Sequence, residues 1–300
     1  MLNETQLQSY ENDGYLRLHR FLDGREVEHL NTEMQRLIDR APVSTADASE
    51  PNPAGSSGGY SFTALADGRK ILNRISYQLA KSGVMLRAYG NPKLLGTVQD
   101  IYGPDFVPFA ESIVIKMPEN GAAFAWHQDG NFKTGPVPER GVNFGIYLNP
   151  STEQNGCLHV IPGTHRQGKV DIDSLVVEDA RQEGAMKSET PILRGLIPVP
   201  AESGDLLIHS RNLVHGSFPN ESRDLRVTVY FGFHALTTVE EIYPVEHIRL
   251  RMGAVLLAVR ERQESGLYPE ETPFRYLPRG VPSLEELDPP SILDATALSV

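Results

Sequence analysis

The spacing of apolar positions changes along the chain and divides it into three parts. Residues 4–13 are polar with Leu7 and Tyr10 on one face, which predicts a short helix stopped by Gly14. Tyr15 to His19 alternate like a short strand. Asp23 reads as an N-cap with Glu26 three residues on. Val27, Leu30, Met34, Leu37 and Ile38 follow at helical spacing, so an amphipathic helix runs to about Arg40. Residues 41–60 are Pro, Gly, Ser and Ala with almost no large apolar groups. They predict a flexible loop, either a lid over a site or a surface insertion without a role. Asn91-Pro92 is an N-cap followed by Pro at the first helical position, and Leu94, Leu95, Val98 and Ile101 form a stripe that ends at Gly103.

From about Phe106 the period becomes two. FVPFAESIVIKM, VNFGIYLN, GCLHVIP, DLLIH and LRVTVYFGF are strand-like runs separated by Pro, Gly and Asn turns. Asn155-Gly156 reads as a hairpin turn. The pattern is that of an all-β sandwich or jelly roll. From about Val245 it returns to helix (HIRLRMGAVLLAVRERQ) and ends in a Pro-rich segment. No internal repeat is present. The expected layout is one domain over 1–300, mainly β. A helical flank covers about 1–105, the β core about 106–235 and a helical tail about 236–300.

The composition changes this picture little and narrows the function. With 40% hydrophobic and 22% charged residues the 300-residue chain is globular, and disorder of the whole chain is excluded. The net charge is −11 without a basic stripe, which argues against nucleic acid. A single cysteine, Cys157, excludes an internal disulfide and a Cys-based zinc site. The N-terminus lacks the basic and apolar regions of a signal peptide, no stretch reaches about 18 apolar residues, and ALSV is not a peroxisomal address. A cytoplasmic protein with no membrane association is the expectation.

The candidate chemistry lies in the histidines. In FAWHQDGNF, His127 and Asp129 are two apart, so on a strand both face one side and can seize one metal ion. Alone, H-x-D is unspecific. His215 follows 88 residues later and precedes another strand. A jelly roll can bring the two strands to one mouth, and two histidines with one carboxylate form the facial triad of non-haem Fe(II) oxygenases. Arg226 stands 11 residues after His215. It alternates with Leu225, Val227 and Val229, so it points into the mouth if they pack outward; otherwise it is a surface strand arginine. His159 and His165 read as structural, and His209 as a packed polar residue rather than a ligand. His19, His29, His234 and His247 have no carboxylate at useful spacing. Trp126 should face away from His127 into the core; Phe124 and Phe132 could line the pocket, with core as the first reading.

Together, W-H-Q-D, then N-G-C-L-H-V-I-P-G-T-H-R at 155–166, then G-D-L-L-I-H…L-V-H-G-S…N at 204–220, then Arg226, resemble the phytanoyl-CoA dioxygenase family. The resemblance implies a double-stranded β-helix (cupin-like jelly roll) flanked by helices, with Fe(II) and 2-oxoglutarate as cofactor and cosubstrate. It matches His127, Asp129 and His215 to the iron ligands and Arg226 to the arginine that pairs with the distal carboxylate of 2-oxoglutarate. Ser217 matches a hydroxyl supporting that carboxylate, and Arg74 and Ser112 fall near other cosubstrate contacts. Gly145 falls near a position that is Trp in the phytanoyl-CoA enzymes, which counts against a CoA-thioester substrate. The implied activity is hydroxylation, or a related oxidation, of an unactivated C–H bond in a small organic molecule, with O2 consumed and succinate and CO2 released. The alternatives are a cupin-like isomerase or hydrolase and a catalytically silent binding relative. The lack of HExxH and of a cupin H-x-H with a downstream Glu counts against the first.

Overall fold

The computed structural model describes residues 2–42, 59–65, 68–119, 121–129, 141–177 and 190–293. Most of the expected lid (43–58 of 41–60) lies outside the described residues, as do 130–140, with Phe132, and 178–189.

Helix α1 (Glu4–Asp13) is held by a capping box between Asn3 and Gln6 and stops at Gly14, whose φ of 80° is open to glycine at no steric cost. Strand β1 (Tyr15–Leu18) leads to helix α2 (Gly24–Asp39), whose N-cap Asp23 accepts from the backbone N–H of Glu26. Two strands follow, β2 (Tyr60–Ala64) and β3 (Lys70–Ser76), then helices α3 (Gln78–Lys81), α4 (Gly83–Tyr89) and α5 (Pro92–Tyr102). Asn91 caps α5 by accepting from the N–H groups of Lys93 and Leu94. The strands of the centre are β4 (Phe106–Lys116), β5 (Phe124–His127), β6 (Val142–Tyr147), β7 (Leu158–Ile161), β8 (Ile197–Val199), β9 (Leu206–Ser210), β10 (Val214–Ser217) and β11 (Arg226–Ala235). Helices α6 (Leu236–Glu240), α7 (Val245–Glu264) and α8 (Pro289–Leu293) complete the described chain.

The strands form two antiparallel sheets. One has seven strands in the order β1-β9-β6-β11-β4-β3-β2, the other four in the order β5-β10-β7-β8. This is the jelly roll that the period-two runs predict, with helices on the outer face of the larger sheet. Alternation decides what goes where. Val227, Val229, Phe231 and Phe233 of β11, Phe144 and Ile146 of β6, and Leu206 and Ile208 of β9 join the helices in one buried apolar cluster. The residues between them face the other sheet.

Two buried ion-pair groups fasten α7. Arg251 donates to Glu111 of β4 at 2.8 Å, both side chains 2% exposed, and Arg262 pairs with Glu26 of α2 at 2.7 Å and with Glu271 at 2.6 Å. No helix among the described residues is long and apolar enough to cross a membrane.

Three sequence expectations change. Asn155-Gly156 does not close a hairpin. It lies between β6 and β7, which belong to different sheets, so the turn carries the chain across the sandwich. His19 does have a carboxylate within reach, Asp205 at 3.4 Å, brought there by the pairing of β1 with β9. The stretch from 60 to 76, unassigned in sequence, is the paired strands β2 and β3.

Candidate active site

Strand β5 pairs with β10 so that His127 and His215 are directly opposite, and the turn after β5 brings Asp129 beside them. His127 Nε2 lies 3.4 Å from one Asp129 carboxylate oxygen, and His215 Nε2 lies 3.8 Å from the other. One ligand atom from each of the three residues falls within 4.8 Å of the others. The ring orientations are fixed from behind. His127 Nδ1 donates to the carbonyl of Ala125 at 2.7 Å, and His215 Nδ1 donates to the carbonyl of Leu213 at 2.9 Å. A carbonyl can only accept, so each Nδ1 carries a proton and each Nε2 is turned towards Asp129. Asn143 of β6 donates to Asp129 at 2.7 Å, and its amide nitrogen lies 3.2 Å from His209 Nε2. The triad can hold one divalent ion with adjacent positions open.

The electrostatics fit a site built for a cation. Burial pushes the His215 pKa down to about 4, against the pull of Asp129, so its imidazole is neutral. Burial also opposes charge on His127, but the hydrogen bond and charge of Asp129 outweigh it and raise its pKa above the usual value. Burial works to raise the Asp129 pKa, yet His127, His215 and Arg211 together hold it well below the ordinary carboxylate range.

The triad stands at one side of a cavity of about 220 Å3 between the two sheets. Arg226 lines it from β11 and is 2% exposed. Its two Nη atoms donate to the carbonyl of Gly156 at 3.1 Å and to the Thr228 hydroxyl at 3.2 Å, while its Nε is buried with no partner. No carboxylate pairs with it among the described residues. A desolvated guanidinium in that state is a receptor for an anion. Gly156 has no room for a side chain, because a Cβ there would run into the Phe218 carbonyl and the Lys116 amine. That amine is buried as well, and Lys116 is paired across β4 and β11 with Arg226. It donates to the carbonyls of Ala122, at 2.9 Å, and Phe218. Burial, with help from Arg226, pushes the Lys116 pKa down to about 6.

The residues singled out in sequence come together. His127, Asp129, His215, Ser217, Arg226, Arg74 and Ser112 all line the one cavity, Arg74 lying 3.5 Å from the Ser112 hydroxyl. Arg226 faces inward and Val227 and Val229 outward, as their alternation predicts. Trp126 packs with Ile161, Leu193 and Val214, away from His127. Phe124, expected in the core, instead lines the cavity, where Arg74 lies 5.8 Å from its ring centre. The register of β5 against β10 places it opposite Ser217, on the cavity side. At Gly145, a Cβ would lie 2.7 Å from the ring of Tyr230, which lines the cavity from across the strand pair. Sequence reasoning missed Asn143, Arg211 and the site position of His209, whose ring centre is 4.7 Å from that of His215. The usable signal for Asn143 and His209 is parity: each is polar and alternates with the outward apolar residues of its strand.

A jelly roll with two histidines and a carboxylate at the mouth, and a buried arginine deeper in, defines a metal-site β-helix of the oxygenase type. The chain belongs to the phytanoyl-CoA dioxygenase family, which residues 10–228 match. It is 25% identical over 252 residues to an ectoine dioxygenase of Bordetella parapertussis, covering 78% of this chain and 76% of that protein. It is also 25% identical over 238 residues to a methylphosphonate hydroxylase of Gimesia maris, covering 78% and 82%. In three dimensions it is similar to EctD from S. alaskensis with bound Fe, at TM-score 0.59 and 22% identity, covering 79% of this chain and 78% of that one. It is similar to EvdMO1 at TM-score 0.58 and 25% identity, covering 77% of this chain, and there it spans about half, 49%, of the longer chain.

Proposed function

We propose that the chain is an Fe(II)- and 2-oxoglutarate-dependent dioxygenase. It hydroxylates, or otherwise oxidises, an unactivated C–H bond of a small organic substrate, consuming O2 and releasing succinate and CO2. The observation that carries this reading is the pairing, in one cavity, of the His127–Asp129–His215 cluster with a buried, carboxylate-free Arg226. Family membership and the two relatives named as a dioxygenase and a hydroxylase support it.

Each residue has a task in this reading. His127 and His215 would hold the ion through Nε2 and Asp129 through a carboxylate oxygen. Asn143 donates to the Asp129 oxygen on the His215 side, which steadies the carboxylate. Arg226 would hold the distal carboxylate of 2-oxoglutarate, with the buried Ser217 hydroxyl beside it. Arg74 and Ser112, on the wall formed by β3 and β4, are further candidates for cosubstrate contact. Iron and 2-oxoglutarate, when bound, supply the oxidising chemistry with O2; the protein supplies orientation and exclusion of water.

The test is release of succinate from 2-oxoglutarate under Fe(II) and O2 across a panel of candidate substrates. Succinate formation that needs all three reagents and disappears in Asp129→Ala is expected. Metal binding without succinate formation would leave the chain as a silent binding relative.

A further inference from the structure

The cavity holds more positive charge than the proposed cofactors account for. Three arginines line it, Arg74, Arg211 and Arg226, against one carboxylate, Asp129. In the proposed holoenzyme the divalent ion and the dianionic cosubstrate cancel, and Asp129 offsets one arginine, so two positive charges remain. Arg226 and Arg74 are the arginines given to the cosubstrate; Arg211, which acts on Asp129 through its charge, is not. Its position is defined. Residue 211 is in the turn between β9 and β10, with its backbone N–H bonded to Gly141 at 2.9 Å. Its guanidinium carbon lies 4.8 Å from the centre of the Phe109 ring, and among the described residues Nη2 reaches only the carbonyl oxygen of Asp129, at a long 3.4 Å. No carboxylate pairs with it among the described residues. The guanidinium is thus braced on an aromatic face beside the metal cluster, with most of its donors unused among the described residues.

We propose that the substrate carries an anionic group, a carboxylate or a phosphonate, and that Arg211 is the residue that recognises it. This rests on the dioxygenase reading above. A planar fork matches such a group with two parallel hydrogen bonds, and half-burial strengthens them. Because Arg211 touches the backbone of Asp129, the anion docks close to the metal. The carbon that is oxidised is therefore one near the anionic group, while the remainder of the substrate extends along Phe109, Phe124 and Tyr230.

The experiment is anaerobic calorimetry on the protein loaded with Fe(II) and saturating 2-oxoglutarate. Phenylacetate and phenylphosphonate are the anionic probes and phenylacetamide the uncharged counterpart. The parent should bind the anions about tenfold or more tightly than the amide. Arg211→Gln should abolish that preference, and Arg211→Lys should keep part of it, as a point charge without the fork. Affinity for 2-oxoglutarate, titrated separately, should be unchanged in Arg211→Gln. Equal binding of the amide, a preference that survives in Arg211→Gln, or a loss of 2-oxoglutarate affinity in that variant would each overturn the inference. Failure of the parent to bind 2-oxoglutarate would instead break the dioxygenase reading. The anion preference can then still be read with Fe(II) alone, and its absence there overturns the inference as well.

Discussion

Strand β11 has two faces that do opposite work. Outward, Val227, Val229, Phe231 and Phe233 are buried among the helices, with the Phe233 ring 5.6 Å from Tyr89 and 5.8 Å from Phe106. Inward, Arg226 and Thr228 are equally buried, yet both are polar, and Tyr230 faces the cavity beside them. The outward face is stabilised by removing apolar area from water, about 25 cal/mol per Å2. The inward face gains less from that term and leaves a guanidinium nitrogen without a partner among the described residues. One strand thus keeps stability and binding on separate sides of a single backbone, and period-two alternation makes the separation possible. Substitutions on one face should leave the property of the other nearly untouched.

The sharpest break should come at the metal cluster. His215→Ala removes one of the two imidazoles of the cluster and should reduce succinate formation to the level measured without added metal, while the thermal midpoint stays near that of the parent. On the opposite face, Phe231→Ala should cost about 3–5 kcal/mol of stability by urea unfolding. The fraction that remains folded should keep its affinity for Fe(II). Arg226→Ala should weaken 2-oxoglutarate binding by about 2–5 kcal/mol, read by titration, with little change in unfolding free energy and metal affinity. Arg226→Lys should restore only part of the loss. An Arg226→Ala protein that unfolds as readily as Phe231→Ala would show that the faces are not separable.

The smallest effect is with pH. The His127 pKa is raised in the metal-free protein because Asp129 favours the imidazolium against burial. A metal must displace that proton, so affinity should fall as pH drops through and below this raised pKa, by up to about tenfold per unit. Above it the dependence should flatten. Competition titrations between pH 6 and 8 would show the slope.

Much of this was legible in the sequence because it rests on local chemistry. Asp23 with Glu26, Asn91 with Pro92 and Gly14 mark helix ends through bonds that reach two to four residues. H-x-D was legible from its two-residue spacing, although β5 ends at His127 and Asp129 follows it, and Arg226 was legible because strand parity is fixed whatever the fold. Arg211 was not, since a turn has no parity and its direction depends on Gly141 and Phe109, which are distant in the chain. Strands β2 and β3 were missed because Ile71, Leu72 and Ile75 do not alternate, and Arg74 follows the cavity rather than the core. The carboxylate beside His19 comes from a pairing between the first and ninth strands, a separation no local pattern encodes.

The pair Arg251–Glu111 bears on how the family is inherited. Glu111 lies within residues 10–228, and its counter-charge lies in α7, outside them. The stretch that matches the family therefore contains an acid it cannot neutralise. A buried carboxylate stripped of its arginine is destabilising by about 3–5 kcal/mol, a large fraction of the stability of an ordinary protein. The edge of sequence similarity is then a poor place to cut or to splice. A chimaera that takes the β-helix from this chain and the tail from a relative must bring an arginine to the place of Arg251, or replace Glu111 with an apolar residue in the same exchange.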